Sequence, residues 1–322
     1  MITLTVFGAG CIGCHLAGEL LRYANPEQFT LNLIGRPNLK EDTNKYGLTI
    51  SDYAGNNHNL SPKSFSVSTS PETLQNSDII FLCVKSGQTE EAAKQILTYK
   101  PNTTVISMQN GVRNASRLRK LLPNANIVAG MVPYNVVALP NARFHKATEG
   151  HIYLEENVAL NPIKNLLKQA FQPCWFSDLG SVQYSKLLLN LNNPINALSD
   201  LPLKQELETR KYRLQLAECI REGLEVYKAA GINTVKIGKV PVSWLPILLS
   251  APDFLFKKLA SAMLKIDPEA RSSMWHDLQK KRVTEIDDLN GEIINLGQKH
   301  NITTPANSRI YQQIKQSEQL FQ

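Results

Sequence analysis

The sequence predicts two domains: an α/β domain with a doubly wound parallel sheet in residues 1–177, and an all-α domain in residues 178–322. Strand and helix patterns alternate through the first half, and helical periodicity takes over from about Val182. The strands of the first half are continuous apolar runs, which is typical of a parallel sheet covered by helices on both faces. The length of 322 residues also exceeds the usual size of a single hydrophobic core.

The first half is predicted to consist of short apolar strands separated by helices. An apolar run leads into a glycine turn at Gly8, and a helix follows from about Cys14 to Leu21. Two further helices are expected at Gln88–Thr98 and Arg113–Leu122. The remaining strands are predicted at Phe29–Ile34, Ser64–Thr69, Asp78–Val84, Thr103–Gln109 and Asn126–Val132, with His151–Glu155 as a further edge strand.

The second half is expected to be helical, with the domain boundary near Phe176–Gly180. Asp267-Pro268-Glu269 is a favourable helix start, because Asp caps free amides, Pro fits the first turn and Glu complements the helix dipole. The apolar segment Val240–Phe256 is too short and too interrupted by prolines to span a membrane, so we expect it to pack against the helical core or a second copy of the chain. The five predicted helices are Val182–Ser199, Gln205–Ala230, Pro241–Lys265, Pro268–Lys299 and Asn307–Leu320.

The turn after the first strand has the GxGxxG pattern. Gly8 permits a tight turn, Gly10 lets the backbone approach a pyrophosphate, and Gly13 lets the next helix pack close to the sheet. The amides at the start of that helix would face the anion. An ordinary structural turn is the alternative, but a strand before and a helix after the glycines are typical of a Rossmann dinucleotide-binding domain. The predicted cofactor-binding residues of this turn are Gly8, Ala9, Gly10, Cys11, Ile12 and Gly13.

The end of the second strand indicates which dinucleotide is bound. NAD enzymes usually place an acid there for the ribose 2′-hydroxyl, whereas this strand ends in Gly35-Arg36. A guanidinium can hold a 2′-phosphate through bidentate hydrogen bonds, so the sequence favours NADP(H). The alternative is that Arg36 is a solvated loop residue.

Polar residues also follow two later strands. Lys85 comes after the fourth strand and would contact a phosphate or ribose, and Asn110 comes after the fifth and would donate to a carbonyl or carboxamide near the nicotinamide. A solvated lysine and an ordinary Asn-Gly turn remain the alternatives.

In the helical half, Lys186, Asn190 and Asn193 fall on one helix face within an apolar segment. A partly desolvated lysine has a lowered pKa and can donate a proton to a carbonyl that is being reduced. The alternative is a polar stripe facing solvent. Ser273 and Glu285 would lie about 120° apart on one straight helix and border one cleft, although Glu285 could equally pair with Lys281.

Composition excludes several other function classes. The net charge is +7 and the pI is about 9.1, but the basic residues are scattered, so we expect an anionic small molecule rather than a nucleic acid. Five dispersed cysteines, and an N-terminus that opens on a strand, favour a reduced cytoplasmic protein. The Cys11-to-Cys14 pair has no second ligand pair, and His276 and His300 have no ligand-spaced partner, so we expect no metal site.

Together these motifs resemble the ketopantoate reductase (2-dehydropantoate 2-reductase) family. The most discriminating segments are Lys186 to Asn190, Ser272-Ser273-Met274 and Thr284-Glu285-Ile286-Asp287. The resemblance implies a Rossmann domain followed by a 6-phosphogluconate-dehydrogenase-like helical domain. It also implies that NADPH reduces ketopantoate to pantoate for coenzyme A biosynthesis.

The resemblance further implies that Lys186 is the proton donor to the substrate C2 oxygen. Asn110, Asn190, Ser273 and Glu285 would contact substrate or cofactor. The family commonly places a second asparagine four residues after the first and before a proline, whereas Asn193 lies one residue early.

Two alternatives stay open: an NADP-dependent oxidoreductase acting on another 2-oxo acid, hydroxy acid, sugar acid or opine, and a catalytically silent NADP-binding protein. The expected partners are a small-molecule 2-oxo acid substrate and a second copy of the chain in a homodimer, with no nucleic acid and no membrane span.

Overall fold

The computed structural model describes residues 1–237, 240–260 and 269–321. They form two compact units, Met1–Leu179 (unit 1) and Gly180–Gln322 (unit 2). Unit 1 contains twelve strands, numbered β1 to β12 in chain order: Ile2–Phe7, Phe29–Ile34, Leu48–Asp52, Asn57–Leu60, Ser66–Ser68, Ile79–Leu82, Thr104–Ser107, Asn126–Met131, Val136–Leu139, Arg143–Lys146, Tyr153–Glu155 and Cys174–Phe176.

The main sheet of unit 1 has eight strands in the order β12-β11-β8-β7-β6-β1-β2-β5. All neighbouring pairs are parallel except β11 with β8. The predicted α/β fold is therefore confirmed, with β11 and β12 running opposite to the other six strands. The central strands are apolar on both faces because helices cover both sides, and Val6, Phe81, Ile106 and Val128 are almost fully buried. The strand within His151–Glu155 is paired on both sides, so the prediction that it forms the edge was wrong.

The helices that accompany these strands begin close to their predicted positions. The structure also contains α2 and α5, which the apolar pattern did not reveal because both are short and carry many polar residues. The five helices of unit 1 are α1 (Cys11–Tyr23), α2 (Pro37–Tyr46), α3 (Thr89–Tyr99), α4 (Asn114–Leu121) and α5 (Lys164–Phe171).

A second, four-stranded sheet in unit 1 was not predicted. Its order is β4-β3-β10-β9, and it packs against α1. A Cβ atom at Gly18 of α1 would collide with Ile50 of β3, so the close approach of helix and sheet requires glycine there. The sequence signal was weak because β4 and β9 are largely polar or exposed.

Unit 2 contains no strand among its described residues, in agreement with the predicted all-α domain. Its helices are shorter than predicted. Each of the first four predicted helices, from Val182–Ser199 to Pro268–Lys299, is interrupted within its described residues. The nine described helices are α6 (Gly180–Asn190), α7 (Asn192–Ser199), α8 (Leu203–Glu208), α9 (Arg210–Ala229), α10 (Leu245–Ser250), α11 (Asp253–Leu259), α12 (Ser273–Gln279), α13 (Asn290–Lys299) and α14 (Pro305–Gln319).

The interruptions have local causes. Pro252 lacks a backbone N–H and holds Ala251 in an extended conformation, which separates α10 from α11. Lys281 has a φ of 49°, which ends the helical turn that follows α12. The predicted helix from Pro268 to Lys299 is therefore wrong as one helix, and its proposed start at Asp267-Pro268 lies outside the described residues.

Candidate active site

The carboxyl ends of β1 and β6 form the topological switch point of the main sheet. The chain leaves β1 through α1 toward β2 on one side, whereas β6 pairs with β1 on the other side. In open parallel sheets, ligands bind outside the strand ends at this point. The predicted glycine turn follows β1 directly, and Lys85 lies three residues after the end of β6.

The geometry of the glycine turn explains each glycine. Gly8 has a φ of 97°, and a Cβ there would lie 2.5 Å from the backbone nitrogen of Val84. A Cβ at Gly13 would lie 2.5 Å from the Gly8 carbonyl oxygen. At Gly10, by contrast, a Cβ would meet no protein atom within 4 Å. The open side of Gly10, next to the uncapped start of α1, suits the close approach of a pyrophosphate.

Arg36 lies beside this turn at the end of β2. The amides of Gly8 and Ala9 donate to the Ile34 carbonyl oxygen at 3.2 and 2.9 Å, which ties the turn to the strand that precedes Arg36. Arg36 is exposed and occupies the residue before α2, with Pro37 at the first helical position. Its side chain is therefore accessible from solvent.

A buried polar network holds the loops after β6 and β7. The Asn114 side-chain amide donates to Ser86 Oγ at 2.8 Å and also to the Asn110 carbonyl oxygen. Thr89 Oγ1 donates to Asn114 Oδ1 at 3.0 Å, and Gln109 Nε2 donates to Thr89 Oγ1 at 2.8 Å. Asn110 itself is exposed. The network thus fixes the backbone at Asn110 and at Ser86, the residue next to Lys85.

In unit 2, Lys186 and Glu285 interact electrostatically. Lys186 lies on α6 and is half-buried, and desolvation lowers its pKa to about 8 while the charge of Glu285 opposes the shift. Glu285 is also half-buried and precedes a 3₁₀ turn at Ile286–Asp288. The alternative pairing of Glu285 with Lys281 loses its basis, because these two residues do not share a helix.

The neighbouring predicted residues are held by a second network. Asn190 and Asn193 are half-buried, so the polar face of α6 and α7 is not a solvated stripe. Ser272 caps α12 through the Trp275 amide and donates from Oγ to the Asn193 carbonyl oxygen at 3.0 Å. Ser273 is exposed at the first position of α12. Ser273 and Glu285 do not lie on one straight helix as predicted, because α12 ends at Gln279.

A buried carboxyl supports the start of α7. Glu206 of α8 is fully buried, and its Oε2 accepts a hydrogen bond of 3.0 Å from Asn192 Nδ2. Burial raises the pKa of Glu206 to about 7, and hydrogen bonds from Asn192 and Asn196 oppose that shift. Asn196 Oδ1 in turn accepts from the Ser272 amide at 2.9 Å.

Both halves of the chain match family models. Residues 4–158 match the model described as ketopantoate reductase PanE/ApbA, and residues 178–318 match ketopantoate reductase PanE/ApbA C terminal. The chain belongs to the ketopantoate reductase family.

Similar proteins and solved structures match this chain over nearly its whole length. The 2-dehydropantoate 2-reductase of Pyrococcus horikoshii is 25% identical over 321 residues, which cover 98% of this chain and 97% of the relative. A PanE/ApbA family ketopantoate reductase structure from Ralstonia eutropha JMP134 has a TM-score of 0.83 and 23% identity, with 99% of each chain covered. The ternary structure of D-mandelate dehydrogenase with NADH and anilino(oxo)acetate has a TM-score of 0.78 and 19% identity, again with 99% of each chain covered. The two structural likenesses show the fold.

Several supporting residues of this ketopantoate reductase family member were missed from sequence. Asn114 follows the predicted Asn110 by four positions, and a polar residue at a helix start was a usable signal. Glu206 gave no signal, because its burial depends on packing between α7 and α8. Among the described residues, no group of three or more His, Cys, Asp or Glu is arranged to hold a metal ion. The exposed His276 stacks edge-on against Trp275, with ring centres 5.0 Å apart.

Proposed function

We propose that the protein uses NADPH to reduce 2-dehydropantoate to (R)-pantoate. The single observation that carries the proposal is the half-buried Lys186, whose pKa of about 8 and neighbouring Glu285 suit proton donation to a carbonyl oxygen. The family membership and the reaction named for the Pyrococcus horikoshii relative support it.

The N-terminal domain, residues 1–177 in this proposal, binds the cofactor. NADPH supplies a hydride from C4 of its nicotinamide when it is bound. The amides at the glycine turn hold the pyrophosphate, and Arg36 holds the 2′-phosphate through charge-assisted hydrogen bonds. Lys85 contacts a phosphate or ribose, and Asn110 lies near the nicotinamide end. The choice of NADP rests on Arg36, because the D-mandelate dehydrogenase neighbour was solved with NADH.

The C-terminal domain, residues 178–322, supplies the acid and the substrate contacts. Lys186 Nζ donates a proton to the substrate C2 oxygen as C2 receives the hydride, so the ketone becomes a hydroxyl group and the lysine becomes neutral. Glu285 accepts a hydrogen bond from the substrate 4-hydroxyl and also adjoins the cofactor. Asn190, Asn193 and Ser273 contact the remaining polar groups of the substrate.

The proposal extends to the cellular role. Pantoate formation is a step toward coenzyme A, and a cytoplasmic location accompanies that role in the family. A second candidate substrate is an aromatic 2-oxo acid, which is favoured by the likeness to D-mandelate dehydrogenase. A silent NADP-binding protein is disfavoured, because binding alone does not require a proton donor with a lowered pKa.

The deciding experiment is NADPH oxidation with ketopantoate and a panel of other 2-oxo acids. The panel includes 2-oxoisovalerate, which lacks the 4-hydroxyl, and benzoylformate, which carries an aromatic ring. We expect the highest kcat/KM with ketopantoate, and a smaller loss on Glu285→Ala with 2-oxoisovalerate than with ketopantoate. A preference for benzoylformate would assign the aromatic substrate, and tight NADPH binding without turnover on any substrate would refute the enzymatic proposal.

A further inference from the structure

The helix pair α10 and α11 exposes large apolar side chains while its other face is buried. Leu245, Leu249 and Phe256 belong to the core of unit 2. On the opposite side, the exposed fractions reach 66% at Trp244, 76% at Ile247, 77% at Phe254 and 58% at Leu259. Soluble surfaces seldom carry so many large apolar side chains in sixteen consecutive residues. The segment was predicted to pack against the helical core or a second copy of the chain, and the core of unit 2 covers only one of its faces.

A buried arginine holds this helix pair in place. Arg213 of α9 is fully buried, and its guanidinium donates to the carbonyl oxygens of Leu249 and Ala251, each at 3.2 Å. It also donates to Asp253 Oδ1 at 2.6 Å and lies 4.2 Å from the centre of the Phe256 ring. These contacts secure the end of α10 and the start of α11 together. The exposed apolar side chains therefore project from an ordered scaffold rather than a loose loop.

Within the segment itself, basic residues outnumber acidic ones. Asp253 is the only acid in residues 240–260, and its charge is paired with Arg213. Lys257 and Lys258 are exposed on α11, beside Phe254 and Leu259. On α9, Arg221 reaches this region and donates to Ser250 Oγ at 2.8 Å. The surface thus combines an aromatic and aliphatic face with the cations Lys257, Lys258 and Arg221.

We propose that this surface, Trp244–Leu259, docks the protein on an anionic lipid bilayer. Exposed Trp, Phe, Ile and Leu enter the boundary between headgroups and acyl chains, and neighbouring lysines contact anionic headgroups. The proposed contact is peripheral. The described residues contain no helix that is long and apolar enough to cross a membrane. A second copy is the rival occupant, but a two-fold interface would place this cationic surface against an identical one.

The test is flotation of the full chain with vesicles of phosphatidylcholine alone and of phosphatidylcholine mixed with phosphatidylglycerol. We expect binding only to the mixed vesicles, with release at high salt. Lys257→Gln with Lys258→Gln should weaken binding about thirtyfold, since each lysine near the surface contributes about fivefold. Lys94→Gln with Lys120→Gln, two exposed lysines of unit 1, is the matched control and should change nothing.

The apolar contribution is tested by Trp244→Ser with Phe254→Ser, compared with Val158→Ser at a valine that is 83% exposed. The double variant should lose vesicle binding while NADPH oxidation is retained, because neither residue belongs to the proposed active site. A blue shift of tryptophan fluorescence on mixed vesicles should disappear in the conservative Trp244→Phe variant, which keeps the apolar surface. Absence of vesicle binding would overturn the proposal. The surface would instead be a dimer interface if light scattering showed a dimer for the wild type and a monomer for the double variant, and if neither protein bound vesicles.

Discussion

The protonation state of Lys186 should limit the proposed reduction at high pH. Its pKa is lowered to about 8 by burial, so Nζ is mostly protonated at pH 7 and can act as the acid. At pH 9, about a tenth of the molecules would retain the proton, and the rate should have fallen about tenfold from its plateau. This fall in rate is the alkaline limb of the pH profile. With an exposed lysine as the acid, the limb would lie more than two pH units higher.

Two variants separate the acid from its neighbour. Lys186→Ala should lower kcat by about 10²–10⁴ and remove the limb near pH 8, because general acid catalysis contributes about that much. Glu285→Gln removes the charge that raises the pKa of Lys186, so the limb should move to lower pH while KM for ketopantoate rises. Lys228→Ala and Glu225→Gln, both exposed on α9, are the matched controls.

The assay is the pH profile of kcat and of kcat/KM for NADPH oxidation, with the cofactor saturating. NADPH binding to each variant is measured separately by fluorescence titration. If Lys186→Ala kept a near wild-type kcat with intact NADPH binding, or kept the limb near pH 8, Lys186 would not be the proton donor.

Four further outcomes are expected. Arg36→Ala should weaken NADPH binding by about tenfold to more than a hundredfold, as expected for a lost contact of about 1.5–3 kcal/mol, with NADH binding unchanged; equal losses for both cofactors would contradict the assignment. Gly10→Ala should fold normally, because its Cβ meets no protein atom, yet bind NADPH at least about tenfold more weakly in the same titration. Asn114→Ala should cost about 1–3 kcal/mol in chemical denaturation and weaken turnover through Asn110, and an unchanged kcat/KM would show that the network does not position that loop. Burial lowers the pKa of His15 to about 4, so between pH 6.5 and 4 the unfolded chain binds a proton that the folded chain does not. The free energy of unfolding should therefore fall by up to about 3 kcal/mol as the pH drops from 6.5 to 4. His15→Gln should make the free energy of unfolding less dependent on pH in this range.

Local rules account for the parts of the fold that were predicted. The apolar runs of the main sheet are continuous because both faces are buried, so their positions could be identified without knowing their partners. The glycine turn could also be identified from sequence. A Cβ atom at Gly8 or Gly13 would collide with nearby backbone atoms, so both positions require glycine. The second sheet escaped detection because its strands are short and partly polar, and Gly18 gave no hint that Ile50 lies against it.

The sequence by itself determined most strands of the main sheet, the helical character of unit 2, the family, and the residue types that carry the proposed chemistry, because these depend on local periodicity and on motifs a few residues long. The tertiary structure decided which groups are desolvated and which carbonyl oxygens are held in place. Lys186 acquires a pKa of about 8 only through the packing around it, and Asn114 bonds to Asn110 only when the loops after β6 and β7 are brought together. Desolvation and side-chain hydrogen bonding arise between segments that are distant in the chain, and no local pattern encodes them.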